Sequence, residues 1–152
     1  MHDVPEAEAL ALLTVPMVCE DPGEWIQQKQ PKDRVSIRCG LMNEEGINIR
    51  LLLDFEFRRS PKTKIARYIF TIFKITRTGQ HRVYQLDVEN FKNPPKNSHN
   101  HPHEHVGDRR IEGTQEWLAW SYPEVLEQFC RRTHVRFIPA PPSDPEAFTL
   151  KG

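Results

Sequence analysis

Four histidines stand at alternate positions 99, 101, 103 and 105 of a stretch, 98–108, that reads Ser-His-Asn-His-Pro-His-Glu-His-Val-Gly-Asp. Imidazole titrates near neutrality without help and is also the commonest metal ligand. In extended backbone successive side chains leave on opposite faces, so spacing by two puts all four rings on one side. Pro102 suits that geometry and excludes a helix through it. Three readings of the cluster stand open. A zinc site needs three or four ligands converging at about 2.0–2.2 Å, which His99, His101, His103 and His105 with Glu104 or Asp108 would supply. Alternate residues of one strand are roughly 6.5–7 Å apart, so only two neighbours can share an ion without a bend. Acid–base chemistry on a phosphodiester is the second reading, and it needs no cofactor if a base, an acid and a cation surround the phosphate. For it the pair His103 and His105 is the sharper candidate, since it abuts Gly107, Asp108 and Arg109 while Pro102 separates it from His99 and His101. The candidate catalytic set is therefore His103, His105, Asp108 and Arg109, with the two rings as base and acid. A polar loop hydrogen-bonded to a sheet is the third reading.

The elements that must position this stretch show in the charge pattern and the periodicity. Net charge is zero, yet residues 1–24 hold six acidic side chains and no Lys or Arg. Between Glu56 and Asp87 stand eight basic residues and no acid: Arg58, Arg59, Lys62, Lys64, Arg67, Lys74, Arg77 and Arg82. With Tyr68, Phe70, Phe73 and Tyr84 interleaved, that block reads either as a nucleic-acid surface or as a solvated hairpin edge guarded against aggregation. The cysteines, Cys19, Cys39 and Cys130, are odd in number and far apart in sequence, so no disulfide framework or zinc ribbon follows from them. With no apolar run long enough to span a membrane and no signal-peptide pattern, the expected setting is the cytoplasm.

Residues 4–15 are predicted to form a helix, with Pro5 in its first turn and Pro16 ending it. From Arg34 the period changes to two: Val35, Ile37, Cys39 and Leu41 alternate with polar residues, and after the turn 43–46 so do Ile47, Ile49, Leu51, Leu53, Phe55 and Phe57. Residues 65–76 are apolar on both faces, the mark of a central strand covered on both sides by helices or by a second subunit. A turn at 78–80 leads to a strand over 81–89, giving an antiparallel meander. A long His-rich loop over 90–113 follows, then a helix over 117–133 whose regular part begins near Tyr122 because of Pro123. Four prolines at 139, 141, 142 and 145 mark a tail over 139–152, expected to be an extended, loosely held arm.

Two stretches resemble a known family. Residues 85–93, Gln-Leu-Asp-Val-Glu-Asn-Phe-Lys-Asn, and 102–108, Pro-His-Glu-His-Val-Gly-Asp, are similar to the small TumE-type toxins. Those proteins show a strand, an aromatic-Asp-Asn step, a histidine-rich linker ending His-x-His-x-Gly-Asp and a closing helix. The helix here, with Ser-Tyr-Pro-Glu-Val-Leu-Glu-Gln-Phe over 121–129, resembles that finish, so the likeness covers roughly 47–132. It implies a toxin of a bacterial toxin–antitoxin module with a helix-turn-helix antitoxin as partner, and it carries His103, His105 and Asp108 over as the site. The chain departs from the pattern in its acidic N-terminal helix, its Pro-rich tail and its longer basic block.

The expectation is a single α+β domain over 1–138, with an acidic helical arm at 1–30 and the His-rich loop at 90–113. Its fold would be an antiparallel meander of four to five strands with an N-terminal and a C-terminal helix packed on it. The leading function is a toxin-like protein of a bacterial toxin–antitoxin or related defence module, with metal-independent ribonuclease action through the paired histidines as its expected chemistry. The alternatives are a non-enzymatic protein- or nucleic-acid-binding module, and metal binding through the histidines. A homodimer is admitted, and no membrane association is expected.

Overall fold

The structure, a computed structural model, describes residues 2–29, 33–90 and 102–147. Four long strands form its centre. Strands β4 (Arg34–Met42), β5 (Asn48–Arg59), β6 (Ala66–Thr76) and β7 (Gly79–Asn90) pair antiparallel in sequence order. The alternation that marked them is the alternation that buries them: Leu51, Leu53, Phe55 and Phe57 are sealed while their even-numbered neighbours are not.

The expected α+β class is overturned: strands dominate the described residues, and only two α-helices stand among them. Among the described residues the sheet has ten strands, not four or five, and it is mixed rather than antiparallel throughout. Strands β8 (His103–Val106) and β9 (Arg109–Glu112) extend it beyond β7 as a hairpin. On the other side β2 (Met17–Glu20) pairs with β4, and β10 (Val135–Ile138) runs parallel to β2 as the outermost strand. Two short strands, β1 (His2–Asp3) and β3 (Ile26–Gln27), add to β7 and β4. These pieces escaped sequence reading for a physical reason. Four-residue strands carry too few periods to be seen, and Met17, Val18 and Cys19 are all buried, so β2 does not alternate at all.

Two α-helices, α1 (Glu6–Leu13) and α2 (Tyr122–Thr133), share one face of the sheet. Helix α2 starts where Pro123 placed it, with Ser121 Oγ donating to the Glu124 carboxylate at 2.9 Å. It ends at His134, whose left-handed φ of 62° lets its amide donate to the Cys130 carbonyl. Its buried stripe carries Phe129, whose ring meets Phe55 edge-on at 4.9 Å while Phe55 stacks on Phe70 at 3.8 Å. Sealing such a ring contributes about 1.5–3 kcal/mol. The expected helix at 117–133 is thus a 3-10 turn at 115–119 followed by α2.

Residues 139–147 do not trail away. Pro142 and Pro145 are buried, Tyr122 donates its hydroxyl to the Pro142 carbonyl, and Trp25 Nε1 donates to the Ser143 carbonyl.

Candidate functional site

The second face of the sheet carries neither described helix, and the sequence fills it with polar and charged side chains. Ladder register lays them out in rows. One row runs Arg38, Asp54, Thr71, Gln85, His105, Arg110 across six strands. The next runs Ser36, Glu56, Ile69, Asp87, His103, Glu112. A shallow groove of about 270 Å³ lies over the middle of these rows, floored by Ile69, Thr71 and Phe73 and walled by Asp54, Glu56, Arg67 and Asp87. The histidines border it one strand over. Both lie on β8 with spacing two, so their rings leave on the same side as expected.

The two rings meet edge to face, with centroids 4.9 Å apart. His103 Nε2 stands 4.0 Å from the carboxylate of Asp87, its cross-strand partner. Asp87 is held in turn by the fork of Arg67, at 3.0 and 2.7 Å, a bidentate geometry that fixes both groups. That bond holds the Arg67 guanidinium above its ordinary value. His105 faces a different field. Burial first, then the Arg82 cation and the neighbouring His103 ring, push its pKa down to about 4, so its ring is neutral at neutral pH. Arg82 is anchored through Asp3 at 2.8 and 3.0 Å and through the Gln85 side chain at 2.9 Å. Burial also raises the carboxyls of Asp54, in the groove wall, and of Glu89, beside Arg67.

Of the expected catalytic set, the structure brings His103 and His105 together and places the other two elsewhere. Asp108 accepts the Glu6 amide at 3.0 Å at the start of α1, and Arg109 pairs with the Glu6 carboxylate at 3.1 Å. The carboxylate beside the histidines is Asp87, which sequence reasoning missed. Its signal was the alternation Gln85, Asp87, Glu89 on a strand whose other face is core; the register that sets it opposite His103 was not legible. His99 and His101 lie outside the described residues. Among the described residues no group of three or more His, Cys, Asp or Glu is gathered as a metal ion would require.

The basic block is divided. Arg58 pairs with Glu56, Arg59 with Glu146, Arg67 with Asp87, Lys74 with Glu8 and Arg82 with Asp3. Lys62 and Lys64 are exposed on the turn before β6, and Arg77 is exposed on the turn after it. Eleven residues of strand hold those turns on the order of 35 Å apart. The eight cations therefore do not form one continuous surface. No helix among the described residues is long and apolar enough to cross a membrane. No protein-family model, no curated protein and no solved structure matches this chain.

Proposed function

We propose that the His103–His105 pair is an acid–base site acting on RNA phosphodiesters, and that the chain is a toxin-like, metal-independent ribonuclease of a bacterial toxin–antitoxin or related defence module. The observation that carries this reading is the contrast between two touching imidazoles. One sits among cations with its pKa near 4, and the other stands beside a carboxylate. Two titratable groups in opposed environments are what a base and an acid of one reaction require. In the proposed step neutral His105 takes the proton of the ribose 2′-hydroxyl as its oxygen attacks phosphorus. His103, backed by Asp87, gives a proton to the departing 5′-oxygen, leaving a 2′,3′-cyclic phosphate. Arg110, opposite His105 and paired at the surface with Glu112, supplies the cation. A pair so exposed is worth little and is readily exchanged for phosphate. The resemblance over 47–132 to TumE-type toxins supports the same reading, with a helix-turn-helix antitoxin as partner and the cytoplasm as its place.

The test is RNA cleavage by the purified protein and growth arrest on expression, each compared with His103→Ala and His105→Ala. Each variant is expected to lose roughly 10²–10⁴-fold in cleavage rate with its thermal midpoint reported alongside. Equal cleavage by wild type and a folded double variant would sink the catalytic assignment.

The internal ion pairs favour a second reading. A face whose cations are mostly neutralised by its own carboxylates suits a protein partner better than a polyanion. Under that reading the double variant binds its partner normally and neither protein cleaves RNA.

A further inference from the structure

Cys19 and Cys39 are twenty residues apart in sequence, yet their sulfurs lie 2.8 Å apart, with Cys19 donating to Cys39. That separation is within roughly 0.8 Å of the covalent S–S length of about 2.05 Å. The two residues sit on neighbouring strands, β2 and β4, and an irregularity in register between Gly40 and Met42 lies directly beside Cys39. Bulges of this kind re-aim a side chain. Cys19 is fully buried, while Cys39 is partly accessible and also reaches the Glu20 carbonyl at 3.8 Å. Cys130, the remaining thiol, stands on α2.

The seam these sulfurs span is thin. Strand β2 is tied to β4 through a single ladder pair, Val18 with Met42, whereas β10 is tied to β2 through four. The β2–β10 ribbon therefore hangs on the main sheet by little backbone bonding, and a covalent link at 19–39 would fasten it.

We propose that Cys19 and Cys39 form a modification site: a dithiol that closes to a cross-strand disulfide by exchange with a small-molecule disulfide. The accessible Cys39, as thiolate, attacks one sulfur of the external disulfide and releases the first small thiol. Cys19 then loses its proton and attacks the Cys39 sulfur, breaking the mixed disulfide and releasing the second small thiol. The protein loses two protons and two electrons, and the external disulfide gains both. The order of events follows from access, because of these two thiols only Cys39 meets solvent. Burial and the adjacent sulfur hold the Cys19 thiol well above its ordinary range, so Cys19 is not the thiol that opens the exchange.

The test is intact-mass analysis and peptide mapping of the native protein after exposure to oxidised glutathione. Loss of two hydrogens and a single cross-linked peptide pair joining Cys19 to Cys39 are expected, with the thermal midpoint raised on the order of 5–10 °C over the reduced protein. Cys130→Ser should behave as wild type. Cys39→Ser, a conservative change at a partly exposed position, should fold and show no loss of hydrogens. The proposal is overturned if both thiols stay free, if glutathione remains on Cys39 without resolution, or if the mapped link involves Cys130.

Discussion

At the scale of single residues, the histidine pair shows how environment divides two identical side chains. His105 is held neutral by burial and by Arg82, so the folded state resists its protonation while the unfolded chain accepts a proton near pH 6.5. Below that value the unfolded state binds more protons, and stability falls as pH drops from about 6.5 toward 4, with no further loss from this group below 4. Because the ring is only partly withdrawn from water, the full effect is discounted to about 1–2 kcal/mol. The raised carboxyls of Asp54 and Glu89 act in the opposite sense, since the folded state accepts their protons more readily and gains stability as pH falls. The unfolding free energy from urea titration should therefore fall less between pH 7 and pH 5 in His105→Gln than in wild type, by about 1 kcal/mol. An unchanged difference would mean that the ring titrates freely. The histidine types and their spacing were legible because both are properties of adjacent residues. Which carboxylate serves them was not, because Asp108 is close in sequence and Asp87 is close in space.

At the scale of elements, the β8–β9 hairpin sets the site, and Gly107 sets the hairpin. Its φ of 58° lies in the left-handed region, and its amide donates to the Val83 carbonyl at 2.7 Å. A Cβ there would stand 2.5 Å from the Val4 carbonyl oxygen and 2.9 Å from backbone atoms of Pro5. Gly107→Ala should therefore cost about 2–4 kcal/mol in thermal or urea unfolding, from strain and overlap together. Gly46 offers the control, for its φ of 81° is also left-handed but its added Cβ meets nothing. Gly46→Ala should lose only the backbone part, about 1 kcal/mol. The same junction explains Asp108 and Arg109: the turn that aims the histidines across the sheet aims these two at the first turn of α1. The long strands β4 to β7 were readable because each repeats its alternation several times. The hairpin was hidden inside an apparent loop because His103–Val106 spans only two periods and its polar face is polar for a reason of tertiary placement.

At the scale of the whole molecule, the segment after α2 acts as a clasp. Pro142 and Ser143 give their carbonyls to Tyr122 and Trp25, and Glu146 meets Tyr68 and Arg59. Tyr122 and Trp25 are themselves buried, so removing the acceptors leaves donors without partners. Deleting everything from Pro139 onward should lower unfolding free energy by about 2–5 kcal/mol in urea. A loss under 1 kcal/mol would show that water replaces the clasp. Proline content suggested a free arm here. What it could not convey is that a chain without regular hydrogen bonding still has carbonyls to offer, and that two aromatic donors were waiting for them.

The parallel pairing of β10 with β2 has a consequence for how the protein is made. Residues 17–20 find their outer neighbour only in residues 135–138, and Trp25 finds its acceptor 118 positions later in the chain. At about 5–20 residues per second, a ribosome needs roughly 6–24 s to cover that interval. The hairpins of β4 to β7 can close while translation continues, but Met17, Val18 and Cys19 lack their outer neighbour until residues 135–138 have been made. That strand stays open on its outer edge for the whole of this interval, which makes the stretch a natural client for whatever shields nascent chains.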